Sequence, residues 1–295
     1  MELWNLYGMT ILFGAIYALF ALSTHTALWA GMLSLASAAF AGVSGFAVIG
    51  LAEGVDLPVI VWLVAGAAAG AFAALIVALI LLRLDSHWFA LGTVAMLLIV
   101  RVLIVNIPAT GSTGGKLVLI EISPVHVFGS LAFFAYIFAR IRRSRLGLAA
   151  EAVRRDPDVA ASLGIQVRKL RVSIMVLSGA VAGVAGVLFA GLTGYITPDT
   201  YYVDLAFVML AGVVFGGAYY WPGAIVGGFL FAILPDLLHS FMGQGQQFVN
   251  GILLLVVILF LPNGVLDEQW IRRWWPSAEK RARIGQDHSD KGVSP

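Results

Sequence analysis

Few side chains in this sequence are spaced for covalent chemistry. HExxH and GxSxG are absent, no helical face carries a carboxylate pair, and the five histidines lie far apart. The usual arrangements for zinc hydrolysis, acyl transfer and acid–base catalysis are therefore missing. Gly111–Lys116, reading GSTGGK, approaches a phosphate-binding loop and fails it. Thr110 stands where the first glycine is required and Leu117 where Ser or Thr would reach magnesium. With no cysteine in the chain, disulfides and thiolate metal sites are excluded. The basic residues lack interleaved readout motifs, which argues against nucleic acid as a partner. What remains is recognition chemistry: a basic island at Arg140–Arg171, a stripe of small polar residues at Ser34, Ser37, Ala38 and Ala41, and the pair Thr93 and Arg101.

The island holds nine of the eighteen Lys and Arg residues, beside only Glu151, Asp156 and Asp158. Apolar sequence flanks it on both sides, so the positive-inside rule places it in the cytoplasm. Within it Asp156 is a good N-cap, Pro157 suits the first helical position and Asp158 complements the helix dipole. Ala160, Ala161 and Leu163 continue a short helix that Gly164 stops, and a second short helix is expected around Leu148–Arg155. A connector that only sets topology needs no capped helix, whereas a segment that docks in a partner's groove does.

The elements that carry these residues are membrane helices. The chain is 60% hydrophobic and 12% charged, too little polar surface for a soluble protein of 295 residues. The expected fold is an all-α polytopic membrane protein with about nine transmembrane segments. They are Leu6–Leu28, Gly31–Leu51, Val59–Leu82, Phe89–Asn106, Val125–Ile141, Val172–Leu192, Leu205–Tyr219, Ala224–Ser240 and Gln247–Leu261. Leu205–Tyr219 and Ala224–Ser240 are short or broken. Residues 1–266 form the transmembrane domain, with the basic cytoplasmic loop at 140–171. Residues 267–295 form a partly disordered cytoplasmic tail. The N-terminus is expected outside, on a retained helix rather than a signal peptide.

Gly66 and Gly70, and Gly179, Gly183 and Gly186, mark faces where helices approach closely. The lone His25 reads as a buried, hydrogen-bonded side chain rather than a metal ligand. A helix over Leu33–Gly45 would put Ser34, Ser37, Ala38 and Ala41 on one stripe, the expected translocation path. Thr93 would add a polar side, and Arg101, inside a span, either snorkels outward or favours a solute carboxylate.

Several stretches resemble the permease subunits of branched-chain amino-acid-type ABC importers, of the LivM kind. They run in order: LSLASAAFAG (Leu33–Gly42), RLDSHWFALGT (Arg83–Thr93), AVRRDPDVAASLGI (Ala152–Ile165), SGAVAGVAGVLFA (Ser178–Ala190), VMLAGVVFGGAYYWPGAIVGG (Val208–Gly228) and GILLLVVILFLPNGVL at the end. The sequence departs from the family pattern at Ala36, Arg155 and Tyr219–Trp221.

The resemblance implies a subunit without its own ATPase site or cofactor. ATP and magnesium would sit on two partner ATP-binding subunits. It also implies a second homologous permease in a heterodimer, a periplasmic solute-binding protein and a place in the bacterial inner membrane. ATPase contact is expected at Glu151, Ala152, Arg154, Asp156, Pro157, Ala160, Leu163 and Gly164. The solute class is branched-chain or other amino acids, or a related carboxylate or amide such as urea or an aromatic acid. The competing class is an ion-coupled secondary transporter, which needs an ionisable residue deep in a span.

Overall fold

The computed structural model of the protein describes residues 2–52, 55, 57–84, 86–218 and 220–242. In chain order the helices are α1 (Glu2–Trp29), α2 (Ser37–Ala52), α3 (Val59–Leu81), α4 (Ser86–Asn106) and α5 (Pro124–Arg142). They continue with α6 (Arg145–Arg155), α7 (Pro157–Ser162), α8 (Val167–Thr193), α9 (Val203–Gly216) and α10 (Trp221–Met242). Strand β1 (Lys116–Leu117) pairs antiparallel with β2 (Tyr195–Ile196), a small deviation from the all-helical expectation.

A helix lies at every expected span that falls within the described residues. Gln247–Leu261 and the tail at 267–295 lie outside them. Among the described residues, five helices are long and apolar enough to cross a membrane, namely α1, α3, α4, α5 and α8. The apolar helices at Ser37–Ala52 and Val203–Gly216 are shorter, and α10 is apolar over Trp221–Phe231. Helices dominate because each pairs its own N–H and C=O groups where lipid offers no partner.

α1 and α8 form the centre. Their apolar windows are 78% and 72% buried, against 28%, 22% and 17% for α3, α4 and α5, which places those three at the rim. The two central helices are stitched by serines: Ser23 Oγ donates to the Ser178 carbonyl at 2.8 Å, and Ser178 Oγ returns the bond to the Ser23 carbonyl at 2.8 Å. Small residues then let backbones touch. A Cβ on Gly70 or Gly183 would overlap the carbonyl oxygen of Gly179 or Gly66, so α3 and α8 meet almost backbone to backbone. Gly186 lies equally close to the Ala41 backbone of α2. Such close approach raises dispersion contact, the main attraction between helices in lipid.

The helix termini define two ends. The basic end gathers the last turn of α5, α6, α7, the start of α8 and the α1–α2 corner. The opposite end carries residues 107–123 and 194–202, joined by β1–β2 and by the Val118 N–H donating to the Gly194 carbonyl at 2.9 Å. At this end GSTGGK forms a tight turn before β1, not a loop between a strand and a helix. It therefore builds no phosphate cradle.

Gly179→Ala must force α3 and α8 apart, and we expect it to cost about 1–3 kcal/mol. Gly129, on the exposed face of α5, has nothing within 4 Å of an added Cβ. Gly129→Ala is therefore expected to be neutral or slightly stabilising. Thermal unfolding of the two variants in detergent checks the contrast.

Candidate functional site

The second span is interrupted at its start. α1 ends in a Schellman motif, with the Gly31 N–H on the Leu28 carbonyl (2.9 Å), the Met32 N–H on the Ala27 carbonyl (3.1 Å) and Gly31 at φ +74. Residues 32–35 then run without helix, and α2 starts only at Ser37. The expected continuous helix over Leu33–Gly45 is thus corrected: Ser34 precedes the helix and does not share a helical stripe with Ser37, Ala38 and Ala41. The interrupted backbone finds local partners. Thr93 Oγ1 of α4 accepts the Leu35 N–H at 3.2 Å while its own hydroxyl donates to the Ala90 carbonyl at 2.7 Å. Ser34 Oγ accepts the Ala36 N–H at 3.3 Å, and the Ala36 carbonyl takes the first bond of α2, from the Phe40 N–H at 3.0 Å.

Two lengths place this break at depth. The 16 residues of α2 rise about 24 Å, short of a hydrocarbon core of about 30 Å. Thr93 lies seven residues beyond Ser86, the start of α4, or about 10 Å along the helix axis. Ser34, Ser37, Ala38, Ala41 and Thr93 are all buried. The structure brings Ser34 and Thr93 together around one elbow. It presses the Ala41 backbone onto Gly186, so in this conformation that part of the stripe is a helix contact.

The elbow rests on the basic end. A Cβ on Gly31 would sit 3.3 Å from the Cα of Arg154, in the last turn of α6. α6 is amphipathic, burying Gly147, Ala150 and Val153, and its Glu151 pairs with Arg155 at 2.9 Å and more loosely with Arg154 at 3.9 Å. Asp156 caps α7 as its residue type demands, Oδ1 accepting the N–H groups of Asp158 (2.9 Å) and Val159 (3.0 Å). A second Schellman motif closes α7, with the Gly164 N–H on the Ala161 carbonyl (2.9 Å), the Ile165 N–H on the Ala160 carbonyl (3.1 Å) and Gly164 at φ +85.

Orientation corrects one expected contact. Ala160 is buried against the chain's own helices, while Val159 and Leu163 are 55% and 74% exposed and form the outward apolar face. Asp156 and Pro157 are also exposed, whereas Ala152 and Arg154 are half-buried. Residue type had suggested a small-residue docking face, and the packing of α7 on α6 turns that face inward.

Arg101 lies near the opposite end, remote from the elbow. Its guanidinium meets Asp199 Oδ1 at 2.6 Å and lies 4.7 Å from the ring centroid of Tyr202. Nearby Tyr201 is buried and donates to the Gly186 carbonyl at 2.7 Å. Burial raises its phenol above the ordinary pKa, keeping it a neutral donor. His25 is buried with Nδ1 2.9 Å from the Ala218 carbonyl. Among the described residues no group of His, Asp and Glu could hold a metal. Arg142, at the end of α5, covers the Tyr220 ring at 4.9 Å.

An interrupted span inside a glycine-sealed bundle, with a capped amphipathic segment under it, is the architecture of a multi-pass membrane protein. The chain belongs to the family described as branched-chain amino acid transport system / permease component, which it matches over residues 6–261. It is 33% identical over 132 residues to the high-affinity branched-chain amino acid transport system permease protein LivM of Escherichia coli K12, covering 44% of this chain and 31% of that protein. It is 34% identical over 136 residues to the corresponding permease protein LivH of the same strain, covering 45% and 43%. A probable LivH of Methanocaldococcus jannaschii is 29% identical over 154 residues, covering 50% and 48%. The chain thus spans less than half the length of these relatives. No solved structure matches it significantly.

With side chains 38% and 66% exposed, the Arg101–Asp199 pair is expected to couple by only about 0.2–1 kcal/mol. A double-mutant cycle of Arg101→Ala and Asp199→Ala, read by thermal unfolding, measures it.

Proposed function

We propose that the chain is the membrane-spanning permease subunit of an ATP-driven, binding-protein-dependent importer of amino acids. Family membership over residues 6–261 is the observation that carries this reading. Branched-chain amino acids are the favoured solutes, because the relatives similar to the chain are named for them. Its comparable identity to both LivM and LivH supports a pseudo-symmetric pair with a second, homologous permease.

In this reading the basic end is cytoplasmic, in keeping with its arginines, and the N-terminus is outside. About nine spans cross the bacterial inner membrane, followed by a cytoplasmic tail. Two ATP-binding subunits, carrying ATP and magnesium, grip α6 and α7. A periplasmic binding protein delivers solute to the end bearing β1–β2. Val159 and Leu163 form the apolar contact with the ATPase, and exposed Asp156, Pro157 and Gly164 shape its edge. Glu151 brackets Arg155 and Arg154 on α6. Ala152, Arg154 and Ala160 support the segment from within.

The mechanism follows from the contacts. Closure of the ATPases moves α6–α7 as a rigid unit. Because Gly31 rests on Arg154, the movement reaches the elbow at residues 31–36 directly. Fewer hydrogen bonds hold the elbow than hold a helix, so it yields before α1 or α8 does. Ser34, Ser37, Ala38 and Thr93 then line the opening route. Arg101 stands at the far mouth, where a solute carboxylate would compete with Asp199.

Stimulation of the co-purified ATPase by solute-loaded binding protein tests the reading. Uptake that needs protons or sodium and no ATP would replace it with ion-coupled transport. Leu163→Asp is expected to lower ATP-driven uptake by about tenfold, as loss of a central apolar anchor does, while membrane insertion is unchanged. Uptake and surface labelling of the variant check this.

A further inference from the structure

α2 begins inside the membrane-spanning body with its first donors unused. Leu35 and Ala36 give their N–H groups to Thr93 and Ser34. The N–H groups of Ser37, Ala38 and Ala39 make no hydrogen bond to any described residue. Ser37 is 1% exposed, and its Oγ is also without a partner. As the first residue of α2, Ser37 directs its Cβ back toward the helix start, so hydroxyl and amides converge on one place. The helix dipole adds partial positive charge there.

Buried donors left in such a group point to a missing acceptor. The surroundings favour an anion. Residues 31–52 carry no carboxylate, and α4 has none either. Arg101, the cation expected to serve a carboxylate, lies at the opposite end, paired with Asp199. Thr93, which holds the elbow, accepts the Leu35 N–H two residues before α2.

We propose that the start of α2 is a carboxylate site on the transport route. The N–H groups of Ser37, Ala38 and Ala39 and the Ser37 hydroxyl receive the α-carboxylate of the passing amino acid. This rests on the proposed function for the identity of the solute. The site is closed in this conformation and opens when the elbow moves. Backbone donors hold a carboxylate without a full countercharge, which permits release on the far side.

The test uses the complete assembly in vesicles and labelled leucine. Ser37→Asp places a carboxylate where the solute's would bind, a substitution that suits a helix start. Ser37→Asn has nearly the same size and no charge. The aspartate variant is expected to lose uptake by about tenfold or more, while the asparagine variant stays within a few-fold of wild type. Both should retain ATP hydrolysis stimulated by the binding protein. Equal loss in the two variants, or normal uptake in both, would overturn the site. If Ser37→Asp does not assemble, Ser37→Ala replaces it: a several-fold rise in the solute concentration for half-maximal uptake supports the site, and unchanged uptake overturns it. Wild-type uptake that proceeds without ATP would overturn the importer reading alone, because the variants are still compared for leucine uptake under the driving force that operates.

Discussion

A peptide N–H inside a hydrocarbon slab has no water to turn to, and every interruption of a helix there must be satisfied by protein. The start of α2 is where this protein meets that constraint. Seven residues separate α1 from α2, and the Thr93 hydroxyl accepts the Leu35 amide while donating to its own helix. One side chain thus keeps a broken backbone affordable at depth and ties α4 to the elbow. Met32, Ser34 and Ala36 are buried accordingly, because an unwound segment facing lipid would leave its carbonyls unpaired.

The rest of the bundle supplies that enclosure. Glycines on α3 and α8 bring the two backbones into contact, and Ala41 closes on Gly186. The seam is rigid because no side chain intervenes that could change rotamer. The elbow is pliable because few bonds define it. In the proposed mechanism, a stiff seam beside a pliable elbow lets a push on α6 become local opening instead of general loosening. The Gly31–Arg154 contact is the mechanical link between them.

Much of this was legible in the sequence, for local physical reasons. Asp156, Pro157 and Gly164 are cap and stop residues whose effect depends on neighbours within a few positions, and α7 follows them. Apolar run lengths located the helices, and spaced glycines marked the faces that touch. Contacts between distant residues were hidden. The Thr93–Leu35 bond spans 58 positions, so nothing local to Gly31–Ser37 locates the interruption or its partner. Arg101 and Asp199 are 98 positions apart, which left the arginine to be weighed between snorkelling and solute binding. Ala160 looked like a docking face because residue size shows where a helix packs closely and not which neighbour it packs on.

A cysteine pair at positions 35 and 93 addresses the elbow most directly, since the chain has no native cysteine. Oxidation in resting membranes should join the pair within one chain, and ATP-driven leucine uptake should stop and return on reduction. A pair that fails to join would contradict the interrupted span, and a joined pair that transports at the full rate would contradict its role in opening.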